Sequence, residues 1–100
     1  MKASALLSPD EAELIGQWLA GKRKIAPDPT CVRIEWLVNE RLVPLGSNAS
    51  GESELYRDPE TGKLWERTWP QSQLPGGGPP RLVLIAADAA RARYGALADG

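Results

Sequence analysis

The residues of this chain best equipped for chemistry are carboxylates and aromatics grouped in its second half. Glu52 lies close to Glu54, and Glu66 reads as lying across a hairpin from Glu54. Paired carboxylates can do general acid–base work, but only where a cleft perturbs one against the other. A hairpin this short gives no sign of a cleft, so no catalytic residue is assigned. The chain has no histidine and one cysteine, Cys31. Ser-His-Asp and Cys-His nucleophile systems therefore lack their base. Zinc lacks the ligands it favours, and an intramolecular disulfide is impossible. No metal and no cofactor are expected. Gly76-Gly77-Gly78 is not a phosphate loop, because Pro79-Pro80 and a strand follow it instead of a helix N-terminus.

The second group is Trp65, Arg67 and Trp69. Strand alternation puts these three on one face and Leu64, Glu66 and Thr68 on the other. A guanidinium between two indoles can stack on both. Two readings stay open. The Trp65 face is either an exposed recognition patch or the core, with Arg67 emerging at its edge. Large amphipathic rings beside arginine are also what protein-binding hot spots favour. Tyr56 and Arg57, at the turn end of the partner strand, and Gln71 and Gln73, in the following loop, extend the patch. The candidate partner-binding set is Tyr56, Arg57, Trp65, Glu66, Arg67, Trp69, Gln71 and Gln73.

These residues need a frame. Asp58-Pro59-Glu60-Thr61-Gly62 joins two extended runs, Glu54 to Arg57 and Leu64 to Trp69. Pro59 pre-sets a turn, and Gly62 supplies the positive φ of its exit. Gln71 to Pro80 is a loop, and Trp69-Pro70 is a candidate for a cis bond. Arg81 to Ile85 is a branched apolar strand. Ala86 to Tyr94 reads as a helix stopped by Gly95. Upstream, Val43 to Ser47 suits an edge strand, because Pro44 lacks a donor. Cys31 to about Leu42 is a helix begun by Asp28-Pro29, with Cys31, Ile34, Leu37, Val38 and Leu42 in one stripe. Cys31 on that stripe reads as a small buried hydrophobe. Val32 and Trp36 fall on the far side, where another part of the domain is expected to cover Trp36.

Ser8-Pro9-Asp10-Glu11 carries a capping box. It predicts a first helix from Ser8 toward Gly21, with Gly16 weakening its interior. The alternative is a helix ending near Ile15, followed by a short strand pair from Gln17 to Ile25. The fold expected is α+β: a small antiparallel sheet of three to four strands, with N-terminal helices and a C-terminal helix packed on one face, the other face open.

One hundred residues, 42% hydrophobic and 25% charged, fit one soluble domain over residues 1–100, with 1–7 and 96–100 frayed. A net charge of -1 argues against a nucleic-acid binder that works by phosphate neutralisation. Lys22-Arg23-Lys24 is too short to change that and reads as a solvated turn. No stretch suits a signal peptide or a membrane span. A cytoplasmic location, with no membrane partner, is expected.

Three segments carry a resemblance: E-L-I-G-Q-W at Glu13 to Trp18, C-V-R-I-E-W-L at Cys31 to Leu37, and L-Y-R-D-P-E-T-G-K-L-W-E-R-T-W-P-Q-S-Q-L-P-G-G-G-P-P-R-L at Leu55 to Leu82. Together they resemble the immunity protein 27 family, small bacterial immunity proteins associated with polymorphic toxin systems. The resemblance implies a non-enzymatic role, the binding and neutralisation of a cognate protein toxin by occlusion of its active site or substrate path. It brings no catalytic residue to carry over. One departure is the lack of an aromatic near Glu52-Ser53. The alternative function is a small sensor or adaptor domain that binds a ligand or peptide between the aromatic hairpin and the Gly/Pro loop.

Overall fold

The computed structural model describes residues 6–20, 25–74 and 77–99. Gly21, the Lys22-Arg23-Lys24 cluster and Pro75-Gly76 lie outside them.

The first helix expected from Ser8 is replaced by strands. β1 (Glu13–Ile15) and β2 (Trp18–Ala20) occupy its length, and β2 pairs antiparallel with β3 (Ile25–Pro27). The strand pair of the alternative reading is thus present, without the short helix before it. Only half of the capping box forms, on a lone turn, because the Ser8 hydroxyl donates to Asp10 Oδ1 at 2.8 Å and does not cap the Glu11 N–H. The Ser8 N–H donates to Glu11 Oε1 at 2.9 Å, and the Glu11 N–H donates to the Ser8 carbonyl at 3.1 Å. No helix propagates from this turn, for three reasons. Gly16 is a poor helix residue. Leu14 is buried while Ile15 is 50% exposed, so the pair is used at strand period. Glu11 is engaged bidentately by Arg33, at 2.6 and 2.7 Å. At Gly16 a Cβ would lie 2.6 Å from Cys31 Sγ and 2.7 Å from the Pro80 carbonyl, so the chain crosses its neighbours there without room for a side chain.

The second helix forms as expected. α1 (Pro29–Trp36) starts at Asp28, whose Oδ1 accepts from the Cys31 N–H at 2.8 Å. It continues into a π turn, Leu37–Arg41, closed by a 2.8 Å bond from the Leu42 N–H to the Leu37 carbonyl. This wide last turn lets Leu37, Val38 and Leu42 all stay on the sheet side. The whole stripe, Cys31, Ile34, Leu37, Val38 and Leu42, is buried. Trp36 is half-buried against the core, as anticipated, and Val32 is 59% exposed.

β4 (Val43–Ser47), β5 (Ser53–Arg57), β6 (Leu64–Thr68) and β7 (Arg81–Ile85) form a meander, and β1 adds to its far side. The sheet has five antiparallel strands in the order β1-β7-β6-β5-β4. β4 is an edge, as its proline requires, and carries an irregularity between Pro44 and Gly46. The β5–β6 turn is built as the sequence indicates. The Asp58 carboxylate accepts from the Glu60 N–H at 2.8 Å, and Gly62 takes φ +77°. All described peptide bonds are trans, Trp69–Pro70 included, so the expected cis candidate is not one.

Register assigns the faces. Tyr56 pairs with Trp65, Trp65 with Leu84, and Leu82 with Leu14. This first face packs on α1, and its core holds Leu14, Ile34, Leu37, Val38, Leu42, Tyr56, Trp65 and Leu82. The second face carries Leu55, opposite Glu66, and Leu64, opposite Ile85. There α2 (Ala87–Tyr94) lays Ala90 and Tyr94 on Leu55 and Leu64. A 3₁₀ turn, Gly95–Asp99, follows Gly95 and brings Ala98 to the same cluster.

The expectation of helices on one face is therefore corrected. α1 and α2 take opposite faces because β6 alternates apolar residues to both sides, Trp65 to one and Leu64 to the other. Each needs cover. The expected three to four strands become five, through β1, with a separate two-stranded pair beside them.

Candidate functional site

α2 is short, and it covers only part of the second face. Leu55 and Leu64 lie under it, and the remainder of that face forms the floor of a groove of about 820 Å³. The floor comes from the sheet: Ser53 of β5, Glu66 and Thr68 of β6, and Arg81 of β7. Ser53 pairs with Thr68 and Thr68 with Arg81, so these three run in one row across the strands. Asn48 and Glu52 of the β4–β5 loop form one wall. Trp69, Pro70, Ser72 and Gly77 form another, and Arg93 of α2 overhangs.

Glu66 is the unusual member, a carboxylate with 3% exposure. Its Oε1 accepts from Arg93 Nη1 at 2.6 Å. Its Oε2 accepts from the Tyr94 hydroxyl at 2.8 Å. The Tyr94 oxygen lies 2.7 Å from Ser53 Oγ. A carboxylate can only accept, so Tyr94 gives its single proton to Glu66 and takes one from Ser53. Burial pushes the Tyr94 hydroxyl up to about 12, and the Glu66 charge adds to that rise. At neutral pH the relay is therefore fixed in one direction, Ser53 to Tyr94 to Glu66.

The first face ends at a second polar group. Arg67 donates through Nε and Nη2 to Glu54 Oε1, at 3.0 and 2.7 Å, and through Nη1 to Glu35 at 3.0 Å. Tyr56 donates its hydroxyl to the same Glu54 oxygen at 2.6 Å. Burial works to raise the Glu54 carboxyl, but the bonds from Tyr56 and Arg67 outweigh it and hold it low. Burial and the bond to Glu54 raise the Tyr56 hydroxyl. The Arg67 guanidinium lies 5.0 Å from the Trp69 ring centroid and 5.8 Å from that of Tyr56. Arg67 stacks on Trp69 as expected, but its second ring is that of Tyr56 and not the Trp65 indole.

The structure thus divides the predicted partner-binding residues. Trp65 is 2% exposed and is core, which decides between the two readings of its face. Tyr56 is buried beside it, and Arg67 closes the edge with its side chain 13% exposed. Arg57 lies on the second face, opposite Leu64, half-buried. Glu66 lies at the groove floor, and Glu54, expected across from it, is on the opposite face, because Glu54 pairs with Arg67. Gln71 and Gln73 are exposed on the loop after Trp69. Trp69 itself is half-buried and lines both the groove and a separate cleft of about 410 Å³ with Trp18, Pro27, Val32 and Pro80.

Cys31 lies at that cleft, 3% exposed. Burial and the neighbouring Asp28 carboxylate raise its thiol. This is the inert buried cysteine expected. Among the described residues no group of three or more His, Cys, Asp or Glu is placed to hold a metal ion. Among the described residues, no helix is long and apolar enough to cross a membrane.

Sequence reasoning missed Ser53, Arg93 and Tyr94. The signal for them was present in Glu66: alternation sets it on the same side as Leu64, and a carboxylate there demands a donor and a cation. Tyr94 and Arg93 are an adjacent donor and cation at the end of the last helix.

A sequence model of one protein family, described as immunity protein 27, matches residues 20–86. No curated protein and no solved structure matches the chain. The matched span covers more than half of the sequence and holds α1, the meander and the groove floor, though not the α2 residues Arg93 and Tyr94. On that match the chain belongs to the immunity protein 27 family.

Proposed function

We propose that this protein binds a cognate protein toxin and neutralises it by covering the toxin's active site or substrate path, without catalysis of its own. The observation that carries the reading is the family match across residues 20–86. The geometry supports a contact surface at the end of the sheet where β6 runs out. Trp69 stands there between two concavities, its ring braced by Arg67, with Gln71, Ser72 and Gln73 exposed beyond it. A ring held by stacking loses little freedom on binding, which is how an aromatic anchor contributes affinity. Tyr56 and Trp65 support that surface from the core, and Arg67 and Glu66 hold its two sides.

Co-expression of this chain with the toxin encoded beside its gene tests the proposal. Growth is expected to be rescued, and a complex is expected to purify. A neighbouring product that is harmless alone, or that kills equally in the presence of this protein, sinks it.

A second reading has one specific observation in its favour. The groove of about 820 Å³ lies between the hairpin and the Gly/Pro loop and is of a size that takes small ligands. A thermal shift with metabolite or peptide sets, in the absence of any shift with the toxin, would favour it.

A further inference from the structure

Two carboxylates, Glu52 and Glu66, and two guanidiniums, Arg81 and Arg93, line the groove of the second face. Glu66 is matched by Arg93, and Arg81 by Glu13. Glu52, on the groove wall, has no cation beside it among the described residues. With Arg81 held by Glu13 from outside the groove, Glu52 is the lining carboxylate left without a cation beside it among the described residues.

The Glu66–Arg93 pair is also lopsided. The Glu66 side chain is 4% exposed and that of Arg93 is 59% exposed. Arg93 donates to Glu66 through Nη1 alone among the described residues, from the solvent side of a short helix. The carboxylate does not depend on Arg93 for its position, because Tyr94 and Ser53 fix the other oxygen from beneath. Such a carboxylate needs a cation, but not this one in particular. An exposed arginine that makes one bond is readily exchanged, since it regains its hydration on leaving.

We propose that the groove receives an arginine side chain of the protein partner, whose guanidinium takes the place of Arg93 on Glu66 and reaches Glu52 at the wall. A planar guanidinium with five donors suits two separated carboxylates better than an ammonium does. The Thr68 and Ser72 hydroxyls line the same space and can accept its remaining N–H groups. Arg93 then acts as a built-in substitute that keeps Glu66 paired until the partner arrives. This deepens the toxin-binding reading, and rests on it only for the identity of the protein that carries the arginine.

The test uses the ¹⁵N-labelled protein titrated with N-acetyl-arginine amide, with inorganic phosphate as the anionic control. The amides of Ser53, Glu66 and Thr68 are expected to shift saturably with the arginine amide and not with phosphate. Arg93→Ala removes the competitor and is expected to bind the amide roughly tenfold more tightly. Glu66→Gln is expected to lose the binding. If Arg93→Ala fails to give a folded spectrum, Arg93→Lys carries the comparison, with a smaller gain. Weaker or unchanged binding in the Arg93 variant overturns the proposal. So do saturable shifts that survive Glu66→Gln, or phosphate shifts that vanish with Arg93. The same variants in the co-expression assay keep the two readings apart. Failure of the wild-type chain to protect removes the toxin reading, whereas a Glu66→Gln variant that protects as well as wild type removes only the arginine pocket.

Discussion

Removing one hydroxyl, by Tyr94→Phe, isolates the buried relay beneath the groove. The ring stays and its packing on Leu55 and Leu64 is kept. Glu66 Oε2 loses its 2.8 Å donor, and the Ser53 hydroxyl loses the oxygen 2.7 Å away. A hydrogen bond to a buried charged group contributes about 1.5–3 kcal/mol. Ser53 can turn toward the groove, so its loss adds little. The expected destabilisation is about 2–3 kcal/mol, which for a domain of this size lowers Tm by about 10–20 °C. The alkaline limb gives a second, independent measure. The Tyr94 hydroxyl titrates near 10 when unfolded and at about 12 when folded. A raised folded value means stability that is fully present below pH 10 and lost as pH rises toward 12. That loss also amounts to about 2–3 kcal/mol. Urea unfolding followed by tryptophan fluorescence at pH 7, 9 and 11 reads both. The gap between wild type and variant should be full at pH 7 and 9 and should narrow at pH 11. A difference under about 0.5 kcal/mol at pH 7, or a gap that widens with pH, would refute the relay. A cycle with Glu66→Gln should show the two changes to be coupled, not additive.

Other perturbations act elsewhere in the fold. The hydrogen bonds and charge of Arg33 hold the Glu11 carboxyl at about 2, so its contribution is complete above the ordinary carboxylate range and lost as pH falls toward that value. Glu11→Gln should cost on the order of 2 kcal/mol at pH 7 and almost nothing near pH 2, read by denaturation at both. Leu82 is fully buried at the centre of the first core, so Leu82→Ala should cost about 2–5 kcal/mol in the same assay. Gly78 has φ +78°, and a Cβ there would sit 2.2 Å from the Gln71 carbonyl. Gly78→Ala should therefore displace the Trp69–Gln73 loop, seen as altered tryptophan emission and weaker toxin protection. Trp69→Ala should leave the fold intact and cost toxin affinity about 2 kcal/mol or more by calorimetry.

Local chemistry was the legible part of the sequence. The Asp58–Gly62 turn, the Asp28–Pro29 start and the Cys31–Leu42 stripe each follow from a few adjacent residues, and each is found. The first helix misled because half of its capping box is real: the Ser8 N–H donates to the Glu11 carboxylate as at a helix start. Besides Gly16, what stops the helix is tertiary, the pull of Arg33 on Glu11 and of β7 on Glu13 to Ile15, and neither partner is near in sequence. The two-sided cover of the sheet was readable in principle from β6, where Leu64 and Trp65 are adjacent and both large. The site was half legible. Trp69, Arg67 and Glu66 stand out by type, but the Glu66 relay needs Tyr94, which lies 28 residues away.

The place of β1 in the sheet sets an order of events during synthesis. Strands β4 to β7 each pair with the next as it emerges, so the meander can assemble while the chain is still being made. β1 cannot, because its partner is β7, and the Glu13–Arg81 contact spans 68 residues. At roughly 5–20 residues per second, the N-terminal segment waits roughly 3–14 s for that partner. During that interval Leu14 has no core to enter, and the Glu11–Arg33 clasp, only 22 residues long, is what can keep the segment near its destination. An arginine on the middle helix thus serves the ribosome-bound chain as a mooring, before it serves the finished fold as an ion pair.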